Sequence, residues 1–384
     1  MSAYTVEQER AVRVLHRVND WFTSNLLTPE QRDRMAADLE TGLRRTNIFL
    51  RLTLFVFGVL IALAATVLMA VLVEPRNQTV WILAVLAAAS CGAAAVFLVN
   101  RYHFYRFGIE EAFAVSAILF AGLAVGSFLD AYVTGDAGVS VGLAAAAATA
   151  WVVFVYFGFV YAGVIAMSSA AVAAFPALEH DLASRLIGLA ILALTFFAAR
   201  REHHRHGDEC PGDNYAVIET AAWAGIYLLL NLKASSWLSQ PDQDGAFYWI
   251  TYVLIWMMPA AGLWIAVRER HRLLLDLNIV LAVVTLLSNK PYLRAIRQPW
   301  DPIVFGMLLI AVALGLRRWL ASGEGGARNG LVAFRLLASE RDRLAAAGSA
   351  TALQHELHPQ HSAKPTEPGF GGGRSGGAGG SGSF

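Results

Sequence analysis

From Leu52 to Leu316 the chain is a succession of long apolar runs cut by short charged connectors. Hydrocarbon offers no water to satisfy backbone N–H and C=O groups, so runs of this kind span as helices or as a closed barrel. A barrel strand needs only ~10 residues, whereas these runs approach the ~20 that a helix needs. The chain therefore reads as all-α, a polytopic transmembrane helix bundle. Composition agrees: 56% of the 384 residues are hydrophobic and 15% are charged, against ~25% charged in a soluble domain. The net charge of +1 gives no bulk attraction for nucleic acid.

Leu52–Val73, Thr79–Val99 and Ala112–Val133 each have the length of one crossing. Residues 138–177 would extend about 60 Å as one helix, twice the hydrocarbon thickness. The run is best split near Tyr156–Gly158, with Pro176 closing its second half. Leu182–Ala199, Tyr215–Leu238, Ala246–Val267, Leu273–Ser288 and Pro302–Leu316 follow, giving about 10 spans. Arg185, near the start of its span, is expected to snorkel to the interface. A charged segment precedes the first run, so Leu52–Val73 is expected to be a retained span rather than a cleaved leader.

Loop charges orient the bundle. Cytoplasmic connectors are rich in Lys and Arg. Ten crossings put the arginines of residues 1–51, Arg101/Arg106, Arg200/Arg201/Arg205, Arg268/Arg270/Arg272 and Arg317/Arg318 on one side. They put Asp136, Glu179/Asp181 and Asp242/Asp244 on the other, with Lys290, Arg294 and Arg297 as an outer basic patch that the rule does not explain. The expectation is a bacterial inner-membrane protein, solvated by the lipid bilayer, with both termini in the cytoplasm. Cys91 lies in an apolar run and Cys210 in a loop, so no disulfide is expected.

Four regions follow: residues 1–46, a cytoplasmic helical module; 47–320, the bundle; 321–347, an amphipathic helix; and 348–384, a disordered Gly/Ser/His-rich tail. In the first, Ala11, Val14, Leu15, Val18 and Phe22 keep a helical period. Thr28-Pro29-Glu30-Gln31 has the form of a capping box with proline at the first helical position. Met35, Leu39 and Leu43 then follow at four-residue steps. The module reads as two helices stapled together at the membrane surface or as a docking site for a cytosolic partner.

The segment from Trp21-Phe22 through Leu26-Leu27-Thr28-Pro29-Glu30-Gln31 into the first span resembles a bacterial family of multi-pass membrane proteins of unknown function with a short helical lead-in. The resemblance covers about residues 20–73 and the overall layout. It implies a membrane location and a helical lead-in, and carries over no activity and no site residues.

Ionisable groups inside a membrane mark function more often than they do in water. The seventh span is the most polar: Glu219, Trp223, Ile226, Leu230 and Lys233 lie near one helical face, with Asn231 on another. Glu219, Asn231 and Lys233 are the candidates for a polar path. Glu219 and Lys233 are separated by about 21 Å of rise and cannot pair directly. The plainer reading makes them anchors at the two interfaces, with Lys233 snorkelling. Glu110 and Glu111 open the third span, and Asp276 is expected to pair with Arg272. His203, His204 and His206 are weak metal candidates, because Arg205 sits among them; a solvated connector is the plainer reading. His355, His358 and His361 add ligand types in the tail without fixed geometry. Gly122/Gly126 and Gly138/Gly142 are spaced for close helix packing. No P-loop, zincin, serine-hydrolase or dinucleotide motif is present, and no cofactor is implied. The expected role is non-enzymatic: structural, regulatory or scaffolding. The alternative is transport of a small solute along the seventh span.

Overall fold

The computed structural model describes residues 3–23, 26–39, 41–75, 79–132, 137–177, 181–206, 214–236, 238, 245–269 and 271–293, and sparser positions from 298 to 332. Met1–Leu331 forms one compact unit and Val332–Phe384 another; every tertiary contact described below lies within the first.

The helices are α1 (Val6–Thr23), α2 (Pro29–Asp38), α3 (Ile48–Val73), α4 (Val80–Tyr102), α5 (Ile109–Tyr132), α6 (Ala137–Phe157), α7 (Val160–Val172), α8 (Ala174–Ala177), α9 (Asp181–His206), α10 (Asn214–Leu230), α11 (Ala246–Glu269) and α12 (Arg272–Tyr292). Seven of them, α3 to α6, α9, α11 and α12, are long and apolar enough to cross a membrane. Ile303, Met307, Ile310 and Trp319 are helical, and Ala327–Arg328 (β1) and Leu331–Val332 (β2) are two-residue strands. Of the amphipathic helix predicted over residues 321–347, Ser322, Ala327, Arg328, Leu331 and Val332 are described, and the last four are extended rather than helical; its other residues, the tail and Cys210 lie outside the described residues. Cys91 is a buried free thiol.

The long run breaks where its length requires. α6 stops at Phe157, α7 starts at Val160, and Gly158 between them takes φ +69°. That left-handed conformation is open to glycine at little steric cost. The two glycine pairs meet each other. A Cβ on Gly126 would lie 3.1 Å from the carbonyl oxygen of Gly138, and one on Gly122 would lie 3.0 Å from that of Gly142. Backbone therefore packs against backbone between α5 and α6, as small residues permit in lipid. At the other extreme, α3 buries only Gly58 and Ala62 and turns its Leu, Phe, Val and Ile side chains outward. In water that surface would cost ~25 cal/mol per Å²; acyl chains remove the penalty.

The connectors sort to two ends. At one, Arg51 of α3 pairs with Glu111 of α5 through Nε–Oε2 at 2.8 Å. There too Asn214 of α10 donates to the Gly158 carbonyl at 2.8 Å, and Arg200 of α9 pairs with Glu269 of α11. At the opposite end, Arg185 reaches the close of α10 and Tyr292 reaches Tyr248. Arg185 does not snorkel. It is fully buried, donating to the Leu229 carbonyl at 2.8 Å and to Ser235 Oγ at 2.9 Å. There it answers the negative end of the α10 dipole.

The N-terminal module sits on the first of these ends. Tyr4 OH donates to the Phe104 carbonyl at 2.8 Å, Ala3 N to that of Tyr156 at 2.7 Å, and Val18 is buried. The Thr28–Gln31 capping box forms as expected, with Gln31 N to Thr28 Oγ1 at 3.2 Å and Thr28 N to Gln31 Oε1 at 3.0 Å. The α2 periodicity stops short, however. The helix ends at Asp38, and Leu43 lies in an extended segment that bridges to the α4–α5 connector through Arg44 N and the His103 carbonyl at 2.9 Å. Gly42, at φ +65°, turns the chain out of the helical register. Val14, one of the periodic apolar positions of α1, is 37% exposed.

Candidate functional site

A seam of buried polar side chains joins α10 to α12. Along α10, Glu219, Trp223, Tyr227 and Asn231 recur every four residues, a ridge of one helix surface. Along α12 and its cap, His271, Asn278, Thr285 and Tyr292 recur every seven, the period that keeps one stripe facing one neighbour. Trp223 Nε1 donates to Asn278 Oδ1 at 2.9 Å; the Tyr227 and Thr285 hydroxyls lie 2.8 Å apart; Asn231 Nδ2 donates to Ser288 Oγ at 2.9 Å. Tyr292 OH accepts from Leu232 N at 2.7 Å. Gly262 of α11 lets the Asn278 amide approach its backbone, because a Cβ there would overlap it. Interhelical bonds of this kind hold helices together in lipid, at about 0.6 kcal/mol each.

The end of the seam at Glu219 and His271 differs. Glu219 is fully buried, yet neither carboxylate oxygen accepts a hydrogen bond. Arg200 Nη1 stands 3.5 Å from Oε1, and His271 Nε2 stands 3.9 Å from Oε2. Arg200 also pairs with Glu269, which lies 3.7 Å from His204 Nε2. The His203 ring lies 5.2 Å from that of His271, edge to face. One ligand atom from each of His203, Glu219 and His271 falls within 4.8 Å of the other two. A buried polar oxygen left without a hydrogen bond costs roughly 1–3 kcal/mol, and the Arg200 ion pair is the one charge that compensates Glu219 among the described residues.

His271 is the N-cap of α12, and its Nδ1 accepts the Leu274 amide at 3.0 Å. A neutral imidazole has one N–H, so the proton sits on Nε2, facing Glu219. Burial is the main cause that holds the His271 pKa below its ordinary value, with the neighbouring His203 adding to it. The cap is worth about 1 kcal/mol.

Of the sequence candidates, Glu219 enters this cluster. Asn231, expected on another face, joins the same ridge, since steps of four drift slowly around a helix. Lys233 lies past the end of α10, with Nζ 5.5 Å from the centre of the Tyr248 ring. Among the histidines, His203 joins the cluster, His204 is half exposed at its rim, and the His206 side chain lies outside the described residues. Asp276 faces Arg272 at 3.9 Å, as expected. Glu110 accepts the Phe107 amide at 2.6 Å. Sequence reasoning missed His271 as a site residue, although the seven-residue spacing of polar residues along an apolar span was a readable signal. No protein-family model, curated protein or solved structure matches the chain.

Proposed function

We propose that the chain is a ten-span integral protein of a bacterial inner membrane, with both termini cytoplasmic and a structural, regulatory or scaffolding role exerted through residues 1–46. The count adds three spans to the seven long helices: α7 with α8, α10 with its following turn, and the helical positions from Ile303 to Trp319. The gathering of Arg51, Arg106, Arg200 and Arg268 toward one end supports placing that end in the cytoplasm. The observation that carries the role is the two-sided N-terminal module. Tyr4 and Val12 anchor it to the bundle core, while Trp21, Leu26 and Met35 stay 45%, 44% and 40% exposed. Apolar side chains presented in this way suit a protein partner. A photocrosslinker at residue 21 or 35, at native expression, is expected to trap one discrete cytosolic protein. Adducts to lipid alone overturn the reading.

Transport of a small solute is the second reading, favoured by the buried Glu219 at the inner end of the α10–α12 seam. It requires solute flux into protein-loaded vesicles that Glu219→Gln abolishes. Flux equal to that of empty vesicles across a broad solute panel removes it.

A further inference from the structure

We propose that His203, Glu219 and His271 bind one divalent cation of the zinc class where α9, α10 and the start of α12 converge. Two imidazoles and a carboxylate, with a fourth position open, are a donor set that zinc accepts and that magnesium and calcium do not favour. The three residues come from three elements, and their ligand atoms already lie within 4.8 Å of one another. A tetrahedral ion with bonds of ~2.1 Å needs donor separations of about 3.4 Å, so a small contraction closes the site.

A second observation is independent of that proximity. Glu219 is fully buried and the His271 side chain is 6% exposed, yet both Glu219 oxygens and His271 Nε2 lack hydrogen-bond partners. Polar atoms shut away from water and aimed at one another without a bond are groups that an ion would satisfy.

Two neighbours set the terms of binding. Arg200 holds a positive charge 3.5 Å from Glu219, so it competes with the ion. It also pairs with Glu269, which can retain it when Glu219 turns to the ion. His271 must offer the Nε2 lone pair, so its ring proton moves from Nε2 to Nδ1 with no net proton gained or lost. Nδ1 then ceases to accept the Leu274 amide, so ion binding uncaps α12.

The test uses the full chain in nanodiscs, with His355, His358 and His361 changed to Ala to silence the tail. After chelator treatment, zinc is titrated against a chromophoric chelator. One zinc per chain is expected. Affinity should fall at least tenfold in Glu219→Gln and in His203→Ala, rise in Arg200→Gln, and stay unchanged in Asp276→Asn. Cobalt(II) in the same tail-silenced chain should give the visible absorption of a histidine-ligated ion, a readout that needs no site variant to fold. Absence of stoichiometric zinc, absence of that cobalt band, or equal affinity in folded Glu219→Gln each overturns the proposal.

Discussion

Tyr4 and Arg185 are single side chains on which separate parts of the molecule lean. Tyr4 is buried edge-to-face against Tyr105, with ring centres 4.8 Å apart, and its hydroxyl bonds the connector after α4. Burial, with a smaller push from Glu110, raises its pKa above the ordinary value of 10.0. The unfolded tyrosine therefore loses its proton first. The Tyr4 contribution is complete below pH 10 and declines as pH rises from there toward the folded value. Wild type should lose more thermal stability than Tyr4→Phe between pH 9 and about 11, read by melting each protein at both pH values. An equal loss removes Tyr4 from the account. Arg185→Ala leaves the Leu229 carbonyl and the Ser235 hydroxyl without their charged donor. Hydrogen bonds to a charged group are worth ~1.5–3 kcal/mol, and a loss of that size is expected in denaturant unfolding in micelles.

Between helices, two packing modes coexist. α5 and α6 use glycines to bring backbones together, so Gly126→Leu should destabilise the bundle by about 1–3 kcal/mol through overpacking. A comparable substitution at Leu72, on the lipid-facing side of α3, should be neutral in the same assay. α10 and α12 use hydrogen bonds instead. A double-mutant cycle of Tyr227→Phe with Thr285→Val should give a coupling of about 0.6 kcal/mol; zero coupling would mean that the two hydroxyls do not sense each other in lipid.

Across the whole molecule, the arginine-rich connectors converge on one end although they are far apart in sequence. Arg51 meets Glu111, and Arg200 meets both Glu219 and Glu269. The N-terminal module covers part of that same end, so chain entry, basic connectors and the buried Glu219 cluster share one side. Reporter fusions at Arg205 and Asp242 should report opposite compartments, cytoplasmic for Arg205; the same compartment for both would break the ten-span threading.

Whereas α10 ends at Leu230, short of the expected Leu238, the seven long apolar helices, the break near Gly158, the Thr28–Gln31 box and the glycine pairs were legible in the sequence. They depend on local chemistry: apolar run length against bilayer thickness, a side chain reaching three residues along, a missing Cβ. The register after Asp38 was less so, because Gly42 and the bridge from Arg44 to the α4–α5 connector end a periodicity that the residues themselves continue. Glu219 was visible as an ionisable group in an apolar span, but its partners were not. His203 and His271 are 68 residues apart in the chain, and only the packing of α9, α10 and α12 brings them together. The sequence by itself determined that this chain forms apolar helices with most of its loop arginines on alternate connectors, since hydropathy acts residue by residue. The tertiary structure decided which polar groups meet, which bury unbonded and where Arg185 points, since those depend on which helix faces pack.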